Sequence, residues 1–114
     1  MIYIEIIIDE FENIKELKVK GHSNFDIKGK DVVCAAVSVL VETAYLSIFA
    51  LFKSKNREDD VIYIEKESYF YFVIKNSDED IKKELKGITL FLITGLKEIE
   101  KNYNKHLKFD IKRG

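Results

Sequence analysis

Cysteine is nearly missing from this chain: one thiol, Cys34, stands among 114 residues. A single cysteine closes no internal disulfide, so a reducing compartment is the natural setting. Histidine is almost as scarce, with only His22 and His106. One thiol and two imidazoles fall short of the roughly four ligands a structural zinc site takes, so no metal or cofactor is expected. A basic surplus is missing too, since 19 Lys and Arg face 20 Asp and Glu. Proteins that grip nucleic acid directly usually carry such a surplus, so direct nucleic-acid binding is not expected. The opening run "MIYIEIIIDE" has neither the basic start nor the small-residue cleavage site of a secretory signal. It reads as structure, and the expected location is cytoplasmic.

What is present suits one domain over residues 1–114. Apolar residues make up 46% and charged residues 34%, the balance of a globular protein. A chain of this length buries roughly two thirds of its unfolded surface. One apolar run, "VVCAAVSVLVETAYLSIFALF" from Val32 to Phe52, is long enough to cross a bilayer. Glu42 at its centre would cost about 2.5 kcal/mol or more there. The run therefore reads as a soluble helix covered on most sides, with no membrane partner. It is apolar nearly all round, more than one sheet face can cover. That leaves deep burial in the monomer and a self-association surface as open alternatives.

Ile2, Ile4, Ile6 and Ile8 alternate with Tyr3, Glu5 and Ile7, which is strand periodicity. After the polar turn "DEFEN", Leu17 and Val19 alternate with Lys18, Lys20 and His22, completing a hairpin. "SNFDIKGK" is a loop, and Asp31 is a good N-cap for the helix that runs to about Phe52. "KSKNREDD" is a charged connector. "VIYIEK" and "YFYFVIK", split by Glu67 and Ser68, form a second hairpin. Ser77 with Asp80 resembles a capping box, and Ile81, Leu85, Ile88, Leu92, Leu96, Ile99 and Tyr103 then recur at helical spacing. Leu107, Phe109 and Ile111 alternate in a last strand. The expected fold is α+β: a two-layer sandwich in ββαββαβ order, one mixed sheet with two helices on one face.

With Asp31 as cap, Cys34 falls in the first helical turn. The N–H groups there lack helical partners and the dipole is positive, which together favour a thiolate. The Asp31 charge opposes this, so a nearby cation would help. His22 is the obvious candidate, because the loop after it can return beside the helix start. A plainer reading stands beside this one. Cys34 shares a stripe with Val37, Ser38, Val41, Tyr45 and Ile48, where a cysteine is most often a small core residue. Ser38 on that reading bonds back to its own helix. His106 is a rival base placed among charges. Asp59, Asp60 and Asp78 to Asp80 read as solvated charge, and the aromatics of "YFYF" as core.

"GH" at 21–22 followed by "GKDVVCAAVSVLVET" from Gly29 to Thr43 resembles the signature of the ribosomal-processing cysteine protease family Prp. The likeness extends to "ITGLKEIEKNYNKHLKF" and to the element order, so it spans essentially the whole chain. It implies a cysteine endopeptidase with a catalytic dyad at His22 and Cys34. Asp31, Ser38, Gly21 and Gly29 match the motif's supporting positions. It further implies a cytosolic homodimer that removes the short N-terminal extension of a bacterial large-subunit ribosomal protein, cutting after a phenylalanine. The family pattern often has Ala after the histidine, where this chain has Ser23, and "NFDIK" departs from it. Substrate recognition by the loop residues Ser23, Asn24, Phe25, Asp26, Ile27 and Lys28 is thus the least anchored part. Mechanistically, first-turn amides including that of Cys34 are candidate oxyanion donors. Asp31 has two candidate duties, capping the helix and orienting His22. The loop, with Gly29 and few apolar anchors, is a candidate lid. Two alternatives to the enzyme are a ribosome-associated module that binds peptide or RNA, and a structural dimerisation domain.

Overall fold

The computed structural model describes residues 1–27 and 30–114; Lys28 and Gly29 lie outside the described residues. The chain runs β1 (Ile2–Ile8), β2 (Ile14–Gly21), α1 (Val32–Ser54), a 3-10 turn (Glu58–Asp60), β3 (Val61–Lys66), β4 (Tyr69–Ile74), α2 (Glu79–Asn102) and β5 (Leu107–Arg113). This is the expected ββαββαβ order. The sheet is mixed, ordered β3-β4-β2-β1-β5. β5 pairs with β1 in parallel, and the other pairings are antiparallel.

The alternation seen in β1 becomes a buried row: Ile2, Ile4, Ile6 and Ile8 all face the core. Pairing carries that row across the sheet through Leu17 to Phe72 and through Leu107 and Phe109. Both helices press on this face, α2 through Ile81, Leu85, Leu92 and Leu96. The helices also approach each other closely. A Cβ on Gly95 would lie 2.6 Å from Leu40 Cδ2, so a larger residue there requires the Leu40 side chain to shift.

Two expectations are corrected. First, α1 is not covered on most sides. Only Val33, Val37, Val41, Ala44, Tyr45, Ile48 and Phe52 are buried. Val32, Val39 and Leu46 on α1, with Leu90 and Phe91 on α2, are each more than half exposed. One sheet face cannot enclose a helix that is apolar all round, and the monomer leaves the outer face bare. Second, α2 is capped by Asp78, not started by a Ser77–Asp80 box, and Asp78 makes no side-chain cap bond. Its carboxylate pairs with Arg57 instead. The "DEFEN" turn forms as expected. Asn13 is buried, and its side chain donates to the Lys82 carbonyl at 3.1 Å, tying the turn to α2.

Candidate active site

Asp31 organises the junction between loop and helix. Its backbone is extended, at φ −79° and ψ 100°, and its side chain folds back over the first turn. The N–H groups of Val33 and Cys34 each donate to Oδ1 at 3.0 Å. The N–H groups of Phe25 and Asp26 donate to Oδ2 at 3.1 and 3.3 Å, and so does the Ser23 hydroxyl. One carboxylate thus caps a helix and ties down the preceding loop. Desolvation is the largest single influence on it and pushes the carboxyl up. The hydrogen bonds from Ser23, Cys34, Asp26 and Phe25 together outweigh that, lowering it from 3.8 to about 2. Asp31 is therefore a cap. Among the described residues, no hydrogen bond joins it to His22. The Cys34 N–H is taken by the same cap, so it does not face an oxyanion position as expected.

Cys34 is partly buried and packs against the core edge. Its Sγ lies 3.3 Å from Ser23 Oγ. Ser23 itself is buried, although it sits in a loop. His22 stands on the other side of Gly21, the last residue of β2. Its ring shares a hydrogen bond through Nε2 with the Ser68 hydroxyl, and its carbonyl accepts from the N-terminal amine of Met1. Gly21 holds this corner at φ +95°, with its N–H donating to the Ser68 carbonyl at 2.9 Å. A Cβ there would collide with the Met1 carbonyl, so both conformation and space demand glycine. Among the described residues, no hydrogen bond joins His22 to Cys34.

Both residues nonetheless line one cleft of about 1110 Å³. It opens between the start of α1 and the β3–β4 turn. Asp31, Ser38, Asn24, Asp26 and Ile27 share its walls with Val37 and Val41. Ser38 is exposed one turn beyond Cys34. Phe25 points elsewhere, packing edge-on against Tyr103 and His106 at centroid distances of 5.4 and 5.3 Å. His106 donates through Nδ1 to the Ser23 carbonyl at 2.9 Å, so it braces the loop from behind. The motif glycine Gly29 and the loop residue Lys28 lie outside the described residues. Among the described residues, no cluster of His, Cys, Asp and Glu could hold a metal ion.

Two site contacts are not marked in the sequence, that of Ser68 with His22 and that of Ser23 with Cys34. Ser68 looked like a hairpin turn residue and nothing more; its φ of +62° fits that role. Ser23 stood as a candidate substrate-loop residue, not as a neighbour of the sulfur. A hydroxyl gains such a part through contacts distant in sequence, and no local pattern marks it.

The family model for cysteine protease Prp matches residues 1–108. Among named relatives, the ribosomal processing cysteine protease Prp of Staphylococcus aureus is 22% identical over 112 residues, covering 98% of this chain and 100% of that one. The protein of that name from Bacillus subtilis is 29% identical over 98 residues, 85% of each chain. A crystal structure of the S. aureus protease, described as essential and holding a covalently linked product peptide, superposes with a TM-score of 0.77 at 22% identity. That match covers 98% of this chain and 100% of the other. The structure of SMU.848 from Streptococcus mutans superposes with a TM-score of 0.75 at 18% identity, covering 100% and 96%. The structural likeness shows a shared fold, and the family match takes in nearly every element described above. The chain belongs to the cysteine protease Prp family.

Proposed function

We propose that this protein is a cysteine endopeptidase that removes the short N-terminal extension of a bacterial large-subunit ribosomal protein, cutting after a phenylalanine. Cys34 is the nucleophile and His22 its acid–base partner. The observation that carries this reading is that the thiol and the imidazole line the same open cleft at a loop-to-helix junction. The relatives named as ribosomal processing proteases support it, as does the S. aureus enzyme captured with a substrate peptide.

Sγ attacks the scissile carbonyl carbon while its proton passes to the His22 ring. The tetrahedral intermediate collapses to a thioester, and the departing amine takes that proton. Water then attacks the thioester, its proton going to His22, and the thiol is restored. Such acid–base help is worth about 10²–10⁴ in rate. In the resting arrangement the imidazole rests on Ser68, so the peptide must draw the two groups together. Catalytic contacts often tighten only when substrate is bound. Residues 22–27, which carry His22, are the part that moves toward the bound peptide.

The exposed apolar residues Val39, Leu46, Leu90 and Phe91 support a homodimer, which sedimentation equilibrium reads directly; a monomer at all concentrations removes that part. The compartment is the cytoplasm, in keeping with a single free thiol. The decisive experiment mixes the protein with a peptide bearing the host ribosomal protein's extension and weighs the products. Two fragments are expected from the wild type and none from Cys34→Ala, with unchanged melting. Tight peptide binding without cleavage would instead mark a non-enzymatic ribosome-associated module.

A further inference from the structure

The hydroxyl of Ser23 has one proton to give and room to accept about two hydrogen bonds. Its surroundings account for all three. The Asp31 carboxylate is ionised and can only accept, so the Ser23 proton points at Oδ2. The Phe25 N–H, shared with Asp31 Oδ2 at 3.1 Å, also reaches Ser23 Oγ at 3.3 Å. The third neighbour is Cys34 Sγ, also at 3.3 Å. With the serine proton already committed, the sulfur can close this set only by donating. The direction of the bond is thus Cys34 S–H to Ser23 Oγ, and Ser23 O–H to Asp31. A thiolate in the same place would face an oxygen lone pair. Ser23 is only 1% exposed, so its oxygen cannot turn to bulk solvent instead.

We propose that Ser23 is a positioning residue that holds the resting Cys34 as a proton-donating thiol, and that cleavage begins when peptide binding breaks the Ser23–Cys34 bond. The freed thiol proton then passes to His22. This rests on the reading of Cys34 as the nucleophile. The segment that carries Ser23 also carries His22, so one displacement releases the sulfur from its holder and brings its base within reach. His106 and Tyr103 set the resting position of that segment, through the Ser23 carbonyl and the Phe25 ring.

The chain has one cysteine, so its thiol can be read without interference. Raman spectroscopy of the free wild-type protein at neutral pH should show an S–H stretch at the low frequency of a hydrogen-bonded thiol. Ser23→Ala should move that band to the unbonded position. It should also speed alkylation by iodoacetamide about fivefold, the factor one neutral hydrogen bond is worth. Ser23→Thr, which keeps the hydroxyl, should keep the slow rate. In peptide cleavage, Ser23→Ala should lower KM and leave kcat near its wild-type value, because the bound complex has already broken the bond. An absent or unbonded S–H band in the wild type overturns the proposal without need of any variant. So does a folded Ser23→Ala protein that alkylates no faster than wild type. Loss of the protease reading shows differently, as cleavage that survives Cys34→Ala, and leaves the Raman and alkylation results to judge the Ser23 bond by themselves.

Discussion

Asp31 and Asp78 stand at the same position, the N-cap of a long helix, and do different work. Asp31 takes hydrogen bonds from its own first turn, from two loop amides and from a buried serine. Asp78 takes none from its helix and reaches out to Arg57, which also holds Asp60 at 3.0 Å. The difference lies in what precedes each cap. A loop of several residues folds back over α1 and supplies N–H groups for a carboxylate to gather. The short stretch from Ile74 to Asp78 offers α2 no such fold, so its cap turns to a surface cation. A helix start becomes a site when a loop wraps it, and remains only a helix start when none does.

The sharpest way to break this comparison is through the two histidines beside the wrapped loop. His22→Ala should lower turnover by about 10²–10⁴ with a much smaller change in peptide affinity. His106→Ala, which removes only a brace behind the loop, should cost less than about tenfold. Equal losses in steady-state cleavage would show that neither ring is the base. Next in size are the caps themselves. Asp31→Ala leaves the Ser23 hydroxyl and the first-turn amides without their partner, and should cost about 2 kcal/mol in urea unfolding. Asp78→Ala removes an exposed ion pair and should cost under about 1 kcal/mol. Comparable values would mean the wrapped loop adds nothing to the cap.

The last effect is acid sensitivity. Asp31 is held at about 2 in the fold against 3.8 ordinarily. Between those values the unfolded chain binds more protons than the folded one, so stability rises with pH there. The contribution is complete above the unfolded value and lost as pH falls through about 2. Unfolding midpoints of wild type and Asp31→Asn should therefore converge as pH drops through that window. A gap that stays constant down to pH 2 would refute the assignment.

Much of the fold can be read in the residues. The isoleucines of β1 alternate, and all four are buried. Asp31 caps the helix it was expected to cap, and Ile81, Leu85, Leu92 and Leu96 form the buried stripe of α2. These succeed because periodicity and capping involve residues a few positions apart. The failures share the opposite cause. The Ser77–Asp80 box lost to an ion pair with Arg57, 21 residues away. For α1, deep burial and a bare outer face stood as open alternatives, and packing chose the bare face, because hydropathy does not say which neighbours the fold brings. In the site, the placement of Cys34 in the first turn was legible. Ser68 at the His22 ring, 46 residues distant, was not.

The sequence by itself determined the element order, the faces those elements bury and the placement of Cys34 one turn into a capped helix, because each follows from local spacing and local hydrogen bonding. Only the tertiary structure decided that a parallel β5 completes the sheet beside β1, that Ser23 and not His22 meets the resting sulfur, and that Asp31 is consumed by capping. Those outcomes depend on which donors remain unsatisfied after the chain has packed, and that competition is settled across long sequence distances.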